Sequence, residues 1–302
     1  MRKLFFTVLI LAFSAVGALG QSQQSAPTLK VVTEDPGLPS ELFYGNTRVK
    51  PLRLRPGTNT PITINDADFF VQQQYVDFLN RFPDQSGFGF WTTEITTCAG
   101  DAKCIDAKRV NTSGAFFLSI EFQGTGYYVY RLHTASFGKK PLYAEFMPET
   151  RQISNGVIVE TPGWKEKLEA NTVAFTNAWV NRGDFLNAYP ASLSSAAYID
   201  KLIQTAGISP ASVNRDALVQ GLTNGSETRA TALRKIVESA AFDAKEKSPA
   251  FVQMQYFGYL RRDPDDDGFN FWLKKLNDHN GDWKSAEMVR SFIVSGEYKD
   301  RF

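Results

Sequence analysis

The run Arg261-Arg262-Asp263-Pro264-Asp265-Asp266-Asp267-Gly268 sets Asp263, Asp265 and Asp267 at alternate positions ahead of a glycine, as an EF-hand calcium loop begins. Such a loop closes with a bidentate Glu at its twelfth position, which here is Lys274, a positive charge where the cation needs two oxygens. An equivalent turn earlier in the chain has Phe82 for Asp263 and Ser86 for Asp267. Both turns share Pro-Asp-x-x-Gly, so the acidic run reads as a helix-capping turn with extra surface carboxylates. Asp263, Asp265 and Asp267 stay as a weak metal candidate, and no cofactor is expected.

The remaining reactive side chains are few. His133 and His279 are far apart and show no His-x-x-x-His spacing. No Gly-x-Ser-x-Gly elbow, phosphate-binding glycine loop or Cys/His nucleophile pair occurs. A glycosidase needs only two suitably spaced acids, and pairs such as Asp265 and Asp266 exist, but nothing selects one of them. No catalytic residue is assigned, and the chain is expected not to be an enzyme. Cys98 and Cys104, six residues apart with no further Cys or His nearby, are expected to form one disulfide across a short loop.

The elements that position these residues begin with a leader. Met1-Arg2-Lys3, an apolar run from Leu4 to about Phe13 and small residues ending at Ala18-Leu19-Gly20 read as a signal peptide over residues 1–20. No later segment is apolar enough to span a membrane, so an extracytoplasmic protein, secreted or periplasmic, is expected. The chain carries 33 Lys and Arg against 32 Asp and Glu, and two of those basic residues lie in the leader. That balance lacks the basic footprint of a nucleic-acid binder. Residues 21–66 hold six prolines and turn pairs such as Pro36-Gly37 and Pro56-Gly57, and read as an extended arm.

Beyond Asp66 the apolar spacing becomes helical. Phe70 to Trp91 and Phe251 to Trp272 are identical at thirteen of twenty-two positions without a gap, which marks an internal repeat. Each is followed by a second shared phrase, Phe117 to Phe122 and Ile293 to Tyr298, with five more residues between the phrases in the first copy. The disulfide loop lies in that longer interval. Fainter echoes, Tyr128 to Pro141, Tyr198 to Pro210 and Ile236 to Phe242, predict an all-α repeat of about four units over 67–122, 123–185, 186–242 and 243–302. Gly156 to Glu160 is the one strand-like stretch in the helical region, read as a loop insertion.

Within each clear copy, Pro83 or Pro264 ends a helix and Asp84 or Asp265 caps the next. Gly87 and Gly268 allow close helix approach. Phe88, Phe90 and Trp91, with Phe269, Phe271 and Trp272, are expected in the core. Arg81 is expected to pair with Glu121 or Asp84, and Arg262 with Glu297 or Asp265.

This pattern, Phe-Val-x-x-x-Tyr-x-x-x-Leu-x-Arg-x-Pro-Asp-x-x-Gly-x-x-Phe-Trp with a later Ser-x-Glu-Phe/Tyr, resembles the bacterial domain of unknown function numbered 4214, in tandem copies. The resemblance covers Phe70 to Phe122 and Phe251 to Tyr298, and the middle only loosely. It implies an all-helical, exported or surface-associated protein, a distant likeness to phycobilisome linker domains, no defined catalytic residues and an accessory or assembly role. The leading expectation is therefore a non-catalytic protein-interaction or surface-assembly module for an unknown protein or cell-surface partner. The alternatives are a carbohydrate-binding module stacking sugars on Tyr127, Tyr128 and Tyr130, and a hydrolase with dispersed carboxylates.

Overall fold

The computed structural model describes residues 28–33 and 38–302. The leader and the Pro36-Gly37 turn lie outside the described residues. The arm is not merely extended: β1 (Leu29–Val32), β2 (Glu41–Tyr44) and β3 (Thr47–Val49) form an antiparallel meander in that order. Gly45, left-handed at φ 61°, closes the β2–β3 hairpin.

From Ala67 onward the regular elements are helical. The first copy contains α1 (Ala67–Gln74), a one-turn π-helical segment (Tyr75–Leu79), α2 (Gln85–Thr96) and α3 (Ala102–Leu118). Next come α4 (Ile120–Gly124), α5 (Gly126–Phe137), α6 (Tyr143–Ser154), α7 (Trp164–Trp179) and α8 (Gly183–Ala188). They lead to α9 (Ser195–Ala206), α10 (Arg215–Asn224) and α11 (Arg229–Val237). The last copy holds α12 (Ala240–Gln255), a second π-helical segment (Tyr256–Leu260), α13 (Asp266–Asp278), α14 (Met288–Val294) and α15 (Gly296–Lys299). Among the described residues no helix is long and apolar enough to cross a membrane.

One punctuation recurs along the chain. Helices end on left-handed Asn80, Gly138, Gly207 and Arg261, and each is followed three residues later by a proline: Pro83, Pro141, Pro210 and Pro264. The left-handed residue turns the chain out of the helix, and the proline keeps the residue before it from re-entering. Helix termination thus falls on the left-handed residue, ahead of the proline. A second mark is a serine cap. Ser119, Ser239 and Ser295 each accept from the N–H three residues on, Phe122, Phe242 and Tyr298, and donate back to a carbonyl three residues before.

The strand-like stretch at Gly156 to Glu160 forms no strand. It is an irregular strap between α6 and α7, with Val157 buried. Its β-branched residues find no neighbouring strand; beside buried Val157, Ile158 and Val159 are half-buried.

Helix α5 lies at the centre, buried at every residue from Gly126 to Ser136. Tyr127, Tyr128 and Tyr130 are at most 2 % exposed, so they are core and form no stacking platform. His133 is also inside, bonded through Nε2 to Glu149 Oε2 at 2.6 Å, and Glu149 also accepts from Arg182 at 2.5 Å. His279 Nδ1 meets the Lys275 carbonyl at 2.8 Å.

First and last copies pack directly on one another, α3 against α14 and one π-helical segment against the other. Phe78 meets Tyr259 edge-on at 5.4 Å, and Phe117 meets Phe251 at 4.5 Å. Two glycines let the copies approach closely: a Cβ on Gly258 would sit 2.7 Å from the Phe78 ring, and one on Gly114 would run into the Trp283 ring. Beside the Gly258 contact is Asp77, whose side chain has no exposure. Its carboxylate accepts from Arg301 at 2.8 and 3.1 Å and from Arg261 at 3.1 Å. Arg301 also donates to the Gly258 and Tyr259 carbonyls at 2.7 Å each, groups the helix end at Arg261 leaves without an intrahelical donor. Arg261 continues to Glu41 of β2 at 3.0 Å, which in turn holds Arg48 of β3 at 2.8 Å. The ion pairs help hold left-handed Arg261, an unusual conformation for a residue other than Gly or Asn.

Candidate functional site

The two copies build the same local machine. After Pro83, Asp84 accepts from the Gly87 N–H at 2.8 Å, and after Pro264, Asp265 accepts from the Gly268 N–H at 2.7 Å. A Cβ on Gly87 or Gly268 would run into the hydroxyl of Tyr75 or Tyr256, so the glycine admits that tyrosine against the helix start. Arg81 grips Glu121 bidentately at 2.6 and 2.8 Å, and Arg262 grips Glu297 at 2.6 and 3.1 Å. Arg81 lies 5.0 Å from the Tyr75 ring, and Arg262 lies 5.3 Å from Tyr256. Arg81, Pro83, Asp84, Gly87, Trp91 and Glu121 thus meet around one turn, as do Arg262, Pro264, Asp265, Gly268, Trp272 and Glu297.

The aromatics divide in a way the core expectation missed. Trp91 packs on Phe116 and Trp272 on Phe292, but Phe90 and Phe271 are each 58 % exposed. Neighbouring residues on a helix point about 100° apart, so Phe90 cannot share the core face with Trp91. Each outer ring instead rests edge-on against its tryptophan, at 4.9 and 5.0 Å.

Around the first copy this machine lines a groove of about 730 Å³. Tyr75, Phe90, Trp91 and Phe116 make an aromatic wall, with Arg81, Asp84 and Glu121 at the polar end. The strap residues Ile158 to Thr161 line the groove as well, and Glu160 among them is left-handed at φ 71°. Exposed Ile120 lies on the rim. Electrostatically the polar end is internally satisfied. Burial alone would raise the Asp84 carboxyl, yet the Gly87 N–H, the Ser86 hydroxyl and Arg81 hold it below the ordinary value. Burial opposes the charge on Arg81, but the bond to Glu121 outweighs it and raises its pKa. Burial also pushes the Tyr75 phenol up to about 12, so it stays a neutral hydroxyl.

The acidic run of the last copy is spoken for piecewise. Asp263 accepts from the Tyr143 N–H at 2.8 Å, Asp265 caps α13, and Asp267 stands exposed in the first turn. Among the described residues no three His, Cys, Asp or Glu side chains gather to hold a metal. Cys98 and Cys104 are joined, tying the end of α2 to the first turn of α3.

Sequence reasoning read the strap as a loop insertion but not as part of a groove, and it missed the exposed rings. The available signals were the adjacency of Phe90 and Trp91, and a glycine-flanked apolar stretch with no strand nearby to pair with.

Residues 233–302 match the family described as Domain of unknown function (DUF4214), a span that holds the last copy and leaves Phe70 to Phe122 outside it. No curated protein and no solved structure matches the chain.

Proposed function

We propose that this chain is a non-catalytic helical repeat protein that holds an extended, apolar segment of a partner protein in the groove between Phe90 and the Ile158 to Thr161 strap. The observation that carries the reading is the lining itself: an aromatic face with an exposed ring, residues of the strap, and a fixed Arg81–Glu121 pair. Aromatic anchors of this kind dominate peptide and protein recognition. The polar end is mutually bonded, which suits orienting a bound chain better than moving protons.

The first copy is, on this reading, a second unit of the DUF4214 kind, and the four helix-ending turns mark four such units stacked into one surface. A leader at residues 1–20 and a disulfide fit an oxidising, extracytoplasmic compartment. A second reading is favoured by one feature: Trp91 and Phe90 beside Asp84 and Glu160 are also the ingredients of a sugar site.

The test is a displayed library of extended peptides, screened on the immobilised protein beside a glycan array, with Phe90→Ser as control. Enrichment of sequences carrying paired apolar residues, lost on Phe90→Ser, supports the peptide groove. Glycan binding that depends on Phe90, without peptide enrichment, replaces it with the sugar reading.

A further inference from the structure

The aromatic face that borders the groove in the first copy has a counterpart in the last. There Phe271 stands 58 % exposed, as Phe90 does, and Val294 43 %. Along α13, Asp267, Phe271 and Lys275 fall at i, i+4 and i+8, so they share one helix face. That face carries a carboxylate, an aromatic ring and an ammonium in line. Turned about a two-fold axis through the ring, it is its own complement.

We propose that this face is an interface between two copies of the chain, with antiparallel α13 helices crossing at Phe271. Asp267 meets the partner's Lys275, and Lys275 meets the partner's Asp267, an isologous contact with both ion pairs generated by one axis. Asp267 makes no hydrogen bond or ion pair among the described residues, and Lys275 rests its ammonium 5.4 Å from Trp272, so both charges are available. Neighbouring Lys274 is already committed to Asp278 at 2.6 Å. The first copy makes the contrast. Its α2 has Ser86, Phe90 and Glu94 at the same positions, and Glu94 is held by Lys108 at 2.5 Å. Two copies of that face would bring no opposite charges together. One copy of the face shares a groove with the strap, and the other carries the charge pattern of a self-pairing surface.

Sedimentation equilibrium of the purified chain from about 1 to 300 µM tests this. A monomer–dimer equilibrium is expected. Lys275→Glu or Asp267→Lys alone should weaken it at least about tenfold, and Phe271→Ser likewise. The combined Asp267→Lys, Lys275→Glu chain should recover most of the affinity, because the axis exchanges both partners at once. Circular dichroism of each variant confirms that these exposed positions leave the fold intact. A chain that stays monomeric throughout, a dimer indifferent to these changes, or a combined variant no better than the single ones overturns the proposal. Phe90→Ser touches only the groove, so loss of peptide binding with an unchanged dimer separates the two surfaces.

Discussion

In the first copy the Arg–Glu pair is sealed in, the side chains of Arg81 and Glu121 being 16 % and 4 % exposed; in the last, those of Arg262 and Glu297 are 43 % and 48 % exposed. The donors, acceptors and distances barely differ, and neither does the aromatic stacking around them. What differs is the cover. The first copy has the strap across its face and α4 continuing into the core, while in the last copy the short α15 follows the same serine cap. One local sequence therefore serves two energetic regimes, and the regime is set by what lies over it rather than by the motif.

The sharpest way to break this comparison is to remove each arginine. Arg81→Met leaves Glu121 buried without its partner and should cost about 3 kcal/mol in urea unfolding. Arg262→Met breaks a solvated pair and should cost no more than about 1 kcal/mol. Equal losses would mean that cover does not matter. Next is the disulfide, which belongs to the first copy alone. Replacing both Cys98 and Cys104 by Ser should cost about 2 kcal/mol, the low end for a ring this small, and should speed amide exchange in α2 and α3 while leaving α13 and α14 unchanged. Gly258→Ala probes the seam between the copies. The added methyl meets the Phe78 ring and should cost about 1–2 kcal/mol, partly recovered by Phe78→Leu, as a double-mutant cycle would show.

The capping carboxylates give the finest distinction. Asp84→Ala should cost about 1 kcal/mol, and Asp265→Ala less, since Asp84 also holds Ser86 and lies 3.3 Å from Arg81 whereas Arg262 is 3.9 Å from Asp265. Both carboxyls titrate below their ordinary value in the folded chain, Asp265 chiefly through the Gly268 N–H. Their stabilisation is therefore full above about pH 4, the unfolded carboxylate value, and is lost as pH falls through the folded one. Asp84→Asn, which still caps, should flatten the acid limb of a stability–pH curve while changing the neutral plateau little.

Much of this was legible in the residues. Helical spacing, the thirteen shared positions, the Pro-Asp-x-x-Gly cap and the close cysteine pair are local signals, and the structure holds each as a local feature. Two kinds of feature were not legible. Phe90 and Phe271 share the motif's aromatic character, so composition groups them with the core, and only the 100° step from the tryptophan sets them outside. Asp77 is the other kind. Its counterpart in the last copy is Gly258, so it belongs to no repeat pattern, and its partners Arg261 and Arg301 lie some two hundred residues away. The three strands of the arm are short and turn-rich, and their anchoring through Glu41 to Arg261 depends on the same distant geometry.

That carboxylate changes the character of the whole array. A row of repeats with free ends can fray one unit at a time, like a stair losing its outer steps. Here the first and last copies are bolted to each other through Asp77, Arg261 and Arg301, and the arm is bolted to the same point. The seam turns a stair into a hoop at its two ends: opening it near Asp77 exposes a charge that was dry, so loss of either copy is felt by the other.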